Sequence, residues 1–96
     1  AVRVARTFKA LSDPTRVRIL GAILNEEQCV HDLCETLQLE QSTVSHQLRV
    51  LRDRDLVKHR RDGRHIYYSL DDEHVRSLLE SALEHVGHAS QRGPRS

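Results

Sequence analysis

Apolar residues recur at helical spacing at Val4, Phe8 and Leu11, which predicts a short helix over residues 2–11. Asp13-Pro14 then supplies a carboxylate N-cap and a proline at the first helical position, the opening of a second helix. That helix carries Val17, Leu20, Ile23 and Leu24 on one face and is expected to end near Asn25. A third, short helix is expected over residues 30–37. Ser42 is placed to cap a fourth, from Thr43 to about Arg54, whose inward stripe is Val44, Leu48 and Leu51. The period then changes from 3.6 to 2. Residues 56–61 and 65–70 are β-prone runs on either side of Asp62-Gly63-Arg64, and an Asp-Gly pair in that setting predicts a hairpin. Asp71 or Asp72 caps a last helix reaching to about Ala89, with Val75, Leu78, Leu79, Ala82, Leu83 and Val86 as its apolar positions. Residues 90–96 hold Gly, Pro, two Arg and two Ser, and are expected to form a disordered tail behind a single domain spanning 1–89.

Two short helices joined by a tight turn and followed by a basic hairpin make a winged helix-turn-helix. The expected fold class is mainly α with a small β-hairpin wing. Composition adds the prospect of a partner. The 96 residues are 38% hydrophobic, with one Phe, two Tyr and no Trp. A chain this short buries only roughly 60–65% of its unfolded surface, so the core is thin and a homodimer through the terminal helices is expected. No apolar run is long enough to span a membrane and no signal-peptide pattern opens the chain. Two cysteines do not make a disulfide scaffold, so a reducing cytoplasmic setting is expected. Membrane protein, secreted mini-protein and multidomain enzyme are excluded on these grounds. The chain has no methionine, so a further segment ahead of Ala1 is expected.

The net charge of +1 hides strong segregation. Residues 26–41 carry five acids and no Lys or Arg, whereas residues 46–65 carry seven Lys/Arg against three Asp, with His46, His59 and His65 interleaved. Such a block suits a polyanion. On the fourth helix Ser42, His46 and Arg49 point away from the apolar stripe, with Thr43, Ser45 and Arg52 on the flanks and Gln47 counted with them. This face is small, polar and basic, and fits a major groove. Arg60, Arg61, Arg64 and His65 cluster at the hairpin, where a wing would meet phosphates. Double-stranded operator DNA is therefore the expected partner, with no small organic substrate.

Ser45-His46-Gln47-Leu48-Arg49-x-Leu51-Arg52, then Leu56-Val57, then Gly63-Arg64-His65-x-Tyr67-Tyr68-x-Leu70 resemble the ArsR/SmtB family of metal-responsive repressors. Leu11-Ser12-Asp13-Pro14-Thr15-Arg16 and Cys29-Val30-His31-Asp32-Leu33-Cys34 follow the same pattern, and the resemblance covers roughly residues 5–88. It implies a dimeric winged-helix repressor released from its operator by an inducer, with Ser42, Ser45 and His46 as groove contacts. It also implies that His85 hydrogen-bonds main chain near Asp55.

Asp72-x-His74 and His85-x-x-His88 form the leading candidate metal site. His74 and His85 share a helix face but lie about 16 Å apart along it, so one helix cannot chelate with both. Two such helices paired antiparallel across a dimer axis would bring Asp72 and His74 of one chain to His85 and His88 of the other. Three imidazoles and one carboxylate suit tetrahedral Zn(II). In the resembling family this spacing is the interfacial zinc site, and members preferring six-coordinate nickel or cobalt add ligands from longer tails. A candidate second site comprises Cys29, His31, Asp32 and Cys34. Both thiolates reach one ion only if Cys29 precedes the helix proper; otherwise Cys34 is a small buried apolar residue. Where the family's arsenite and cadmium sensors carry Cys-Val-Cys, this chain has Cys29-Val30-His31. Cd(II), Co(II), As(III) or thiol oxidation stay open as alternative signals. A zinc hydrolase is disfavoured, because four protein ligands leave no position for water and no nucleophile–base pairing is evident.

Overall fold

The computed structural model describes residues 1–91, with side-chain surroundings described through Gly87. Among the described residues the elements run α1 (Val2–Ala10), α2 (Pro14–Ala22), β1 (Gln28–Cys29), α3 (Val30–Leu37), α4 (Gln41–Asp53), β2 (Val57–Asp62), β3 (His65–Leu70) and α5 (Glu73–Gln91). The α2 helix starts as expected: Thr15 N–H donates to the Asp13 carboxylate at 2.8 Å, with Pro14 leading the helix. It stops at Ala22, short of Asn25.

Ser42 is not the cap of α4. The helix begins at Gln41, and its N-cap is Glu40, whose side chain makes no capping bond. The cause lies one turn upstream. Gln38 takes a left-handed φ of 57° at the end of α3, and Leu39 N–H donates back to Cys34 O at 3.2 Å. That closure leaves only Gln38, Leu39 and Glu40 between the helices, so α4 starts earlier and Ser42 lies in its exposed first turn. At its far end α4 closes in a Schellman motif. Leu56 N–H bonds Leu51 O and Asp55 N–H bonds Arg52 O, each at 3.0 Å, with Asp55 at a left-handed φ of 59°.

The hairpin pairs antiparallel from Val57↔Leu70 to Asp62↔His65, so Asp62 belongs to the strand and Gly63-Arg64 alone make the turn. Gly63, at φ 65°, occupies the glycine position of a type II′ turn. The strand β1 has no counterpart in the apolar pattern. Its two residues pair with β3 as Gln28↔Tyr68 and Cys29↔Tyr67, giving a sheet ordered β1-β3-β2. Two residues are too few for alternation to register.

The expected stripe of the fourth helix is the centre of the core: Val44, Leu48 and Leu51 pack with Ile19, Leu20 and Ile23 of α2, Leu33 of α3 and Val57 of β2, all fully buried. Ile19 takes the place expected for Val17, which is only half-buried. Among the described side chains of α5, Leu79 is the buried one. By contrast Val4 and Phe8 of α1 and Leu83 and Val86 of α5 are exposed, Phe8 at 57% and Val86 at 63%. The last helix continues through Gln91, and the tail expectation for residues 92–96 lies outside the described residues.

Candidate nucleic-acid interface and metal centre

Burying Val44, Leu48 and Leu51 turns the opposite side of α4 outward, and Ser42, Thr43, Ser45, His46 and Arg49 are all exposed there. Gln47, counted with this face, has a structural partner as well. It is half-buried, and its Oε1 accepts from Arg16 Nε at 2.9 Å. Arg16 also lies 3.7 Å from Asp13, so Gln47 ties α4 to the start of α2. Arg18 donates to Leu37 O at 2.7 Å, closing the end of α3. The α2 helix thus fixes both helices of the pair from behind.

On the wing, Arg61, Arg64 and His65 are exposed, with Arg64 in the turn. Arg60 is already engaged. Its Nε donates to Glu27 Oε2 at 2.9 Å, its Nη2 pairs with Glu27 Oε1, and the guanidinium lies 5.0 Å from the Tyr67 ring centroid. Hydrogen bonding to Arg60 holds the Glu27 carboxyl below its usual range, and the same contact raises Arg60. Glu27 is 33 positions away in sequence, within the acidic stretch of residues 26–41. Arg52 is also engaged: its Nη1 lies 3.1 Å from His59 Nδ1.

The candidate metal residues of α5 are displayed, not packed. Asp72 caps the helix, its Oδ1 accepting from Val75 N–H at 2.9 Å. Its Oδ2 faces His74 Nδ1 at 3.8 Å, and the His74 side chain is 98% exposed. The Val75 N–H, and after it the neighbouring His74, keep the Asp72 carboxyl below its ordinary value. His85 is exposed farther along the same helix, and the His88 side chain lies outside the described residues. One residue before the cap, Asp71 N–H donates to Leu56 O at 3.0 Å. This bond joins the segment just before α5 to the segment that closes α4.

At the other candidate site Cys29 is the extended N-cap residue of α3, with φ −87° and ψ 167°, so it does precede the helix proper. It is only 8% exposed, whereas His31 is exposed and 3.6 Å from Glu35. Asp32 is exposed and Cys34 half-buried. Among the described residues, no three His, Cys, Asp or Glu are gathered within one chain as a metal cluster, at this site or on α5. Both cysteines are free thiols.

A helix pair held from behind by a third helix, with a basic two-stranded wing beside it, defines a winged helix-turn-helix regulator. The chain belongs to the arsR family of bacterial regulatory proteins. Residues 13–59 match the family described as "Bacterial regulatory protein, arsR family". A "Transcriptional repressor SmtB homolog" of Synechocystis is 46% identical over 90% of this chain and 65% of its own length. The "HTH-type transcriptional regulator NmtR" of Mycobacterium tuberculosis is 50% identical over 92% of this chain and 73% of its own. A "Cadmium resistance transcriptional regulatory protein CadC homolog" of Staphylococcus aureus is 47% identical over 85% and 69%. In three dimensions, the homodimeric winged helix-turn-helix DNA-binding domain of a possible ArsR-family regulator from Mycobacterium bovis superposes with a TM-score of 0.88 at 26% identity. It covers 98% of this chain and 87% of that one. The chain thus spans 65–73% of the length of these curated relatives.

Proposed function

We propose that the chain is a transcriptional repressor that binds operator DNA as an apo homodimer and is released when Zn(II) joins its α5 helices. The observation that carries the reading is the outward face of α4: Ser42, Thr43, Ser45, His46 and Arg49 stand exposed on a helix whose other side is fully buried. Such a helix can seat in a major groove while Arg61, Arg64 and His65 reach phosphates. Homodimerisation is supported by the exposed apolar positions of α1 and α5 and by the homodimeric M. bovis neighbour.

For the signal, Asp72 and His74 offer an adjacent carboxylate and imidazole, and Asp72 has its second oxygen free of the capping bond. With His85 and His88 of a partner subunit the set becomes three nitrogens and one oxygen, which suits tetrahedral zinc. The ion would supply a cross-link between subunits. The chain's own contribution is the hydrogen bond from Asp71 to Leu56, which links the start of α5 to the end of the recognition helix. A change in how α5 is held therefore bears on how α4 is presented. Only unequal binding to the two arrangements can shift DNA affinity, and DNA must weaken zinc by the same factor.

The experiment is a titration of Zn(II) into the complex of the protein with a duplex it has selected from a random pool. Affinity should fall by about 5- to 150-fold, the usual span of such couplings. Unchanged affinity in saturating zinc overturns the sensing half of the reading and leaves DNA binding standing. A second reading, in which Cd(II), As(III) or oxidation acts through Cys29 and Cys34, is favoured by the position of Cys29 ahead of α3 and by the cadmium-resistance relative. Replacing both cysteines with serine separates the two, because a zinc response through α5 survives that change.

A further inference from the structure

The seam between α4 and the wing holds a contact outside the groove-facing set. Arg52, in the last turn of α4, lies with Nη1 3.1 Å from Nδ1 of His59 on β2. Behind His59 stands its cross-strand partner Tyr68, with ring centroids 5.9 Å apart and planes inclined at 46°. Tyr68 in turn packs against the core. Arginine has only donors, so Nδ1 must offer its lone pair and the proton of the neutral imidazole must sit on Nε2, across the ring. The remaining guanidinium donors and this Nε2–H belong to two exposed side chains standing side by side.

A helix in the major groove and a wing at the flanking minor groove are divided by one sugar–phosphate strand, which must cross the seam between them. We propose that Arg52 and His59 form a joint clip for a single phosphodiester of that strand. His59 both donates from Nε2 and, through Nδ1, aims the guanidinium. The inference rests on the DNA-binding reading above. Charge-assisted hydrogen bonds of this kind are short and directional, and the preset pair meets its phosphate without first ordering a free arginine.

The test uses the full chain and a short duplex selected by the wild-type protein from a random pool. Each phosphate is replaced in turn by a neutral methylphosphonate, and affinity is read by fluorescence anisotropy. In the wild type one position per half-site should cost about tenfold, the size of one charge-assisted hydrogen bond. In His59→Phe that position falls silent while the others keep their penalties, and affinity for the unmodified duplex drops about tenfold. His59→Asn, whose Oδ1 can accept from Arg52 where Nδ1 did, should recover about threefold of the loss. The loss in the double variant Arg52→Ala/His59→Phe should fall well short of the product of the two single losses, because both side chains act on one phosphate. Unchanged thermal midpoints establish that the variants fold. Identical methylphosphonate profiles for wild type and His59→Phe overturn the proposal, as do losses that multiply in the double variant. If the wild-type protein selects no duplex at all, it is the DNA-binding reading that fails, and the clip falls with it.

Discussion

Asp55 shows how much one residue can be asked to do. It closes α4 from a left-handed conformation that glycine or asparagine normally fills, while its amide caps Arg52 O. A β-branched side chain tolerates that conformation poorly, so Asp55→Val should lower stability by about 1–2 kcal/mol, and Asp55→Gly should be neutral or better, in urea unfolding. Glu27 is a second case. Its folded carboxyl is held low by the hydrogen bond to Arg60, so the pairing is complete at neutral pH and is lost as pH falls through that lowered value. The thermal midpoints of wild type and Glu27→Gln should therefore differ at pH 7 and converge in acid. A gap that persists at low pH would show that Glu27 acts by something other than its charge. The same substitution frees Arg60 beside the other wing arginines, and should steepen the salt dependence of binding to random DNA by about one unit of slope.

Among the elements, the recognition helix and the wing have different work. His46→Ala should cost about 1–3 kcal/mol on a selected duplex and little on random DNA, because a base-edge contact is lost. Arg64→Ala should weaken both about equally, as a phosphate contact does. Competition binding on the two duplexes distinguishes them. The helix-turn-helix was legible because its signals are local and repeated: the Val44, Leu48 and Leu51 stripe, the Asp13-Pro14 start and the Asp62-Gly63 turn each sit within a few residues. What escaped depended on distance. The strand β1 exists only because β3 is there to pair with it, and the Glu27–Arg60 and Gln47–Arg16 bonds join segments 33 and 31 residues apart. Local pattern also misplaced the cap of α4, because how α3 closes decides where the next helix can begin. The start of α5 was legible too: Asp72 caps the helix, with His74 beside it.

For the molecule as a whole, the distribution of apolar residues decides whether one chain is enough. Phe8, Leu83 and Val86 are exposed on helices that give the core only Ala10 and Leu79 among its buried residues. Phe8→Asp combined with Leu83→Glu should yield monomers by analytical ultracentrifugation, with far-ultraviolet circular dichroism unchanged. The monomer should also lose tight zinc binding, since it retains only half of each proposed donor set. Zinc bound as tightly by that monomer as by the wild type would sink the shared site.

The brevity of β1 has a mechanical consequence. A two-rung ladder is the easiest part of the sheet to unzip, yet one of its rungs joins Cys29 to Tyr67, the ring over which Arg60 lies. Crowding or bonding at that sulfur would be felt first as slack in the wing's inner edge, so amide exchange at Cys29 and Tyr67 should quicken on thiol alkylation before any other protected position responds.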